Sequence, residues 1–187
     1  DAVEEYLGDG GRLMYLGGNG FYWRIAFHPS IPGVIEVRRA EDGTRAWIAE
    51  PGQYYHSFNG EYGGLWRRLG RAPNQTVGVG FAAQGFERSA PYRRMPGADD
   101  PRASFVFRGI TEDVIGDFGS LGGGASGEEI DRFDARLGSP AHGLVLASAT
   151  EHDEAMLRTK EEFLSTVPPF ADPKIRSDLC LLYTSPS

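Results

Sequence analysis

Asn19 stands between glycines in GGNGFYWR, residues 17–24, directly after a short apolar run. Glycines there leave backbone N–H groups unshielded, and successive N–H groups can cradle an anion or a developing oxyanion. Asn19 would add a side-chain N–H, and Tyr22 a phenol able to donate or accept. The same residues also suit a strained turn whose Asn merely tolerates positive φ, and the pattern leaves both readings open. It is not a GxGxxG dinucleotide site, because the residues that follow read as strand instead of helix.

A second candidate is GGGASGEEIDR, residues 122–132. Read as a helix start, it gives Ser126 the capping position and puts Glu128 and Glu129 in the first turn, where carboxylates favour the macrodipole. The sharper alternative has Glu129 pointing into a cleft to transfer a proton. A third is QYYHSFNGEYGGLW, residues 53–66, which gathers Tyr54, Tyr55, His56, Glu61 and Tyr62. Such a loop fits a small-ligand pocket or an interface. The four histidines, His28, His56, His142 and His152, are far apart, and no HxxxH or HExxH spacing marks a local metal site. Nor is there a G-x-S-x-G elbow to make a serine nucleophile.

These groups need elements to hold them. DAVEEYLGDGG reads as the last turns of an amphipathic helix, with Val3, Tyr6 and Leu7 on one face. RLMYLGG, residues 12–18, reads as a central strand ending on glycines. Ligands collect at the C-terminal ends of such strands, so Asn19 is expected to be buried and close to Glu129 or His56. FYWRIAFHP and GVIEVRRAEDG alternate as strands, with Asp42-Gly43 as a hairpin turn and TRAWIAE returning. In the loop before that ribbon, Phe21 and Trp23 are expected to pack on one face and aim Tyr22 and Arg24 to the other. Residues 61–70 read as a short helix stopped by Gly70, and residues 77–86 as a tightly packed strand and turn. Residues 87–102 read as loop, 103–110 as strand and 142–150 as a buried parallel-type strand. Helical spacing of Ile130, Phe133 and Leu137 suggests a helix after the glycine run, and residues 152–167 read as an amphipathic helix. Together these predict an α/β sheet with a β-rich insertion.

The bulk numbers bound the function. With 187 residues, 40% hydrophobic and 12% aromatic, the chain is long enough for one core and is not of disordered composition. A net charge of −7 with scattered arginine pairs argues against nucleic acid, and no apolar run reaches membrane-spanning length. A single cysteine, Cys180, rules out an internal disulfide framework and fits a reducing, cytoplasmic compartment. Asp1 opens inside a helix without a cap, and the composition changes abruptly after Leu179. The expectation is therefore a partial domain over residues 1–179, with residues 180–187 a non-native tail.

Taken in order, GGRLMYLGGNGFYWRIAFHP, GVIEVRRAEDGTRAWIAEPG, YYHSFNGEYGGLWRRLGR, VGVGFAAQGF, VIGDFG, GGGASGEEIDR and LRTKEEFL resemble the C-terminal region of the N,N-dimethylformamidase large (beta) subunit family. The resemblance implies a sheet similar to class I glutamine amidotransferases (flavodoxin-like), partial here and carrying a β-rich insertion. It implies hydrolysis of small N-substituted amides at an iron held by tyrosines and one glutamate, in a segment upstream of this chain. It also implies that the chain alone is inactive. Asn19 and Glu129, at matching motif positions, are the candidate catalytic residues: Asn19 to steady the oxyanion, Glu129 to carry a proton to the leaving amine. Tyr22, His56, Glu61 and Tyr62 are the substrate-binding candidates. A small subunit and a second copy stand as candidate partners. A non-catalytic binding or assembly module of amidotransferase type is the alternative.

Overall fold

Short β-prone runs, broken every few positions by glycine or proline, give strands of two to six residues. The computed structural model describes residues 2–39, 49–86, 88–118, 122–152, 155–159 and 175–182. The helix α1, Ala2–Gly8, is followed by the strands β1, Ile25–Phe27, and β2, Ile35–Val37. A single 3-10 turn, Trp66–Leu69, and the five-residue helix α2, Pro73–Val77, lead into β3, Gly80–Gln84. Strands β4 (Tyr92–Arg94), β5 (Val114–Ile115), β6 (Glu129–Arg132), β7 (Leu144–Ala149), β8 (Leu157–Arg158) and β9 (Ser177–Leu181) complete the described elements.

They form three sheets, β1-β2, β6-β3-β8 and β5-β4-β7-β9, and every pairing among the described residues is antiparallel. The expected α/β, flavodoxin-like sheet is therefore incorrect. Parallel strands need crossovers of a dozen or more residues, usually helical, whereas α1 has seven residues and α2 five. Residues 12–18 are not a central strand either: Met14 and Leu16 are more than four-fifths exposed. Residues 103–110 form a 3-10 end and turns instead of a strand.

The helix expected after the glycine run is strand β6 followed by the 3-10 turn Ala135–Leu137. Asp134 caps that turn by accepting from the Arg136 N–H at 2.9 Å, so Leu137 belongs to a different element from Ile130. Residues 142–150 do hold a buried strand, β7, but its neighbours β4 and β9 run antiparallel to it. Of the stretch read as an amphipathic helix, Leu157 lies in β8; Phe163 and Leu164 lie outside the described residues, as do Asp42 and Gly43. Strand β9 continues through Cys180 and Leu181, which pair with Val145 and Leu144.

Residues 2–8 are helical as expected. The helix expected over residues 61–70 is only the 3-10 turn 66–69, since Tyr62 and Leu65 form bridges, but it does stop at Gly70, whose φ of 78° gives the left-handed cap that glycine adopts without penalty. Helix α2 begins with Pro73, whose fixed φ suits the first helical position. Its buried Asn74 donates to the Arg132 carbonyl and to Ser139 Oγ, both at 3.0 Å, tying α2 to the end of β6. The apolar packing is divided among three small clusters. Tyr22, Leu65 and Phe81 form one, Ala83, Ile130 and Met156 a second, and Ala103, Phe107 and Leu146 a third.

Candidate functional site

The site is built on β6. In a strand, residues two apart share a face, so Glu129 and Asp131 point the same way while Ile130 turns into the cluster with Ala83 and Met156. Opposite them on β3 the register slips by one residue between Phe81, paired with Asp131, and Ala83, paired with Ile130. Such a bulge bends the strand and re-aims its side chains. The glycine loop lies against this face. A Cβ on Gly17 would sit 3.1 Å from Asp131 Oδ2, and one on Gly18 3.1 Å from Glu129 Oε2. Both glycines have positive φ, 86° and 80°. They are required twice over, by the turn and by the approach to the two carboxylates.

Tyr15 holds the loop from inside. Its hydroxyl donates to the Gly18 carbonyl at 2.9 Å, and its ring lies so close to Gly20 that a Cβ there would meet it at 2.8 Å. Asn19 at the loop tip donates from Nδ2 to Glu129 Oε1 at 3.4 Å. The bond is long and both side chains are exposed, so donor and carboxylate remain open to an incoming polar group. Phe21 continues the loop with φ of 55°, a conformation that costs a non-glycine residue about 1–2 kcal/mol and that here faces solvent beside the Tyr15 ring. Asn19 is thus close to Glu129 as expected, but not buried.

Asp131 is the residue that sequence reasoning missed. It is 6% exposed, and its Oδ1 has no hydrogen-bond partner. Burial pushes its carboxyl up to about 7, the Glu129 charge adds to that, and the Gly18 N–H opposes it. The Tyr15 phenol is raised as well, by burial first and then by the Asp131 charge. Read as a helix, positions 129 and 131 fall on different faces. The polar-apolar-polar alternation of Glu129, Ile130 and Asp131 was the signal that could have found the pair.

The remaining candidates lie elsewhere. Tyr22 is buried in the core, edge-on to Trp23 and Phe81 with ring centroids 5.0 Å away in each case, while Phe21 is exposed. Tyr22 and Phe21 thus exchange the facing expected of them, while Trp23 packs against the core as expected. Glu61 pairs with Arg24 at 2.5 Å and accepts from Asn59, and Tyr62 stacks on Tyr54 at 6.2 Å. His56 is buried and neither ring nitrogen has a hydrogen-bond partner; its pKa is lowered, chiefly by burial. Beside it Glu36 is held down to about 2. Burial pushes it up, but N–H groups of Ser57 and Phe58, the Ser57 hydroxyl and Arg38 outweigh that. No hydrogen bond or ion pair joins His56, Glu61 or Tyr62 to Asn19 or Glu129 among the described residues. Ser126, expected as a helix cap, instead bridges to Ala90, with its Oγ 3.4 Å from His152 Nε2.

Among the described residues no three His, Cys, Asp or Glu side chains come together as a metal site. Two carboxylates on β6 are too few donors for the iron that the resemblance implies, and the nearby Tyr15 phenol gives its proton to the Gly18 carbonyl, so this set does not make a holder for it. No helix of the described residues is long and apolar enough to cross a membrane.

Glu129 and Asp131 thus form a pair of carboxyl groups on one strand face, set against a glycine loop. The chain belongs to the N,N-dimethylformamidase beta subunit-like, C-terminal family, whose model matches residues 1–187. It is 48% identical over 153 residues, 81% of its length, to the N,N-dimethylformamidase beta subunit of Paracoccus aminophilus and equally to that of an Alcaligenes species. It spans 20% of the length of each of these relatives.

Proposed function

We propose that this chain is a segment of a longer polypeptide that hydrolyses small N-substituted amides such as N,N-dimethylformamide to the carboxylic acid and the amine. The observation that carries this reading is the approach of the Asn19 amide to the Glu129 carboxylate across the glycine loop, in a chain whose relatives bear the dimethylformamidase name. The amide carbonyl would take hydrogen bonds from Asn19 Nδ2 and the loop N–H groups, which stabilise the charge that grows on oxygen as water adds. Glu129 would hold the proton released from water and return it to the leaving nitrogen, a neutral amine being a far better leaving group than its anion. Iron, where the resemblance implies it, would be held by residues outside this chain and would polarise the carbonyl. Assembly with a further subunit fits the word "beta" in the relatives' names.

The test is release of dimethylamine and formate from N,N-dimethylformamide by the full-length polypeptide. Turnover supports the reading. Binding of the amide without turnover would favour a binding module and overturn it.

A further inference from the structure

Resting on that reading of Asn19 and Glu129, we propose that Asp131 is a positioning residue of the site. It holds the one proton of the Glu129–Asp131 pair and backs the Gly17–Asn19 loop at Gly17. Three features of the geometry carry this. The two carboxyls share one face of β6 with no residue between them on that face. Asp131 Oδ2 lies 3.1 Å from where a Gly17 Cβ would sit, whereas buried Oδ1 has no partner at all. A buried carboxylate oxygen left without a donor is costly, and a proton on it removes the charge that makes it so.

Among the described residues no cation pairs with Asp131. Tyr15, on the loop side, has committed its hydroxyl proton to the Gly18 carbonyl. Across the ladder Asp131 meets Phe81. On its own strand Arg132, one residue on, is turned to the other face and pairs with Asp134 at 3.0 Å. On β9, Asp178 is bound by Arg176 at 2.9 Å, by Ser148 at 2.6 Å and by the Phe133 N–H at 3.0 Å. The charge that bears on Asp131 is that of Glu129, and it works in the same direction as burial. The buried member of the pair therefore keeps the proton, and the exposed Glu129 is the member open to substrate. When Asp131 ionises, two like charges face the same glycine loop and Asn19 is displaced from Glu129.

The experiment uses the full-length polypeptide and two readouts. In the wild-type protein with isotope-labelled aspartate, infrared titration should show one protonated aspartate carboxyl that persists at pH 6 and is lost near pH 7, and Asp131→Asn should lack it. An aspartate spectrum fully ionised by pH 5 overturns the proposal, whatever the protein hydrolyses. In kinetics, kcat/KM of the wild type should fall on the alkaline side with a midpoint near 7. Asp131→Asn, which mimics the protonated carboxyl, should keep activity within about tenfold and lose that alkaline fall. Asp131→Leu should lose more, chiefly in kcat. An alkaline limb unchanged in Asp131→Asn would show a merely structural role and overturn the proposal. Loss of turnover in wild type would instead sink the proposed function and leave the infrared result to decide Asp131.

Discussion

Replacing Gly18 by alanine separates the conformational demand of the loop from its closeness to Glu129, because Gly33 provides a matched control. Gly18 has φ of 80° and Gly33, in the turn between β1 and β2, has φ of 79°, so alanine at either pays the same left-handed cost, about 1–2 kcal/mol. At Gly33 nothing lies within 4 Å of the new Cβ, whereas at Gly18 Glu129 Oε2 lies at 3.1 Å. That oxygen ends a flexible side chain, so it yields by a torsional shift costing roughly 0.5–1.5 kcal/mol. In thermal unfolding Tm should therefore fall by about 2–8 °C for Gly33→Ala and by about 3–14 °C for Gly18→Ala for a chain of this size. Turnover should divide them. Moving Glu129 away from Asn19 by a few tenths of an ångström should cost roughly tenfold in kcat/KM, a misplacement of about 1 Å being worth up to ~10²-fold, while Gly33→Ala should stay near wild type. Equal kcat/KM in the two variants, measured as dimethylamine release by the full-length polypeptide, would refute the claim that the loop sets Glu129.

Leu65 is fully buried between Tyr22 and Phe81, so Leu65→Ala should cost about 2–5 kcal/mol in denaturant unfolding, and a loss below ~1 kcal/mol would contradict that packing. Glu36 is held near 2, below the ordinary carboxylate range, so its stabilising effect is complete above pH ~4.3 and fades as pH falls toward 2. Denaturation midpoints compared at pH 6 and pH 3 should drop for the wild type and drop less for Glu36→Gln.

What could be read from the chain depended on whether local pattern or tertiary contact decided the element. Gly70 ends its turn because a left-handed cap is a local requirement, and residues 142–150 hold a buried strand because their short, charge-free run after Gly143 is too brief for a buried helix. Residues 129–132 could not be settled that way. Ile130, Phe133 and Leu137 satisfy a helical period, but pairing with β3 outweighs it, and the glycines before them serve as a close-packed loop instead of a helix start. The same error hid Asp131 while leaving Glu129 visible. Proximity of Asn19 to Glu129, 110 positions apart, was expected because the loop was placed at the end of a central strand; the contact is there, but residues 12–18 form no such strand, so the local pattern did not contain its cause. The α/β expectation failed for a related reason: apolar runs such as RLMYLGG show hydrophobicity but not its partner, and here Met14 and Leu16 stay exposed.

The central claim is that Glu129, set by the glycine loop and Asn19, moves the proton in amide hydrolysis. Its most direct test is kcat of Glu129→Gln in the full-length polypeptide on N,N-dimethylformamide, with stability measured on the same sample. Gln keeps the shape and the Asn19 contact but removes the basicity, so kcat should fall by ~10²-fold or more with little change in unfolding midpoint. A kcat within about threefold of wild type would contradict the account and return Glu129 to an ordinary surface carboxylate.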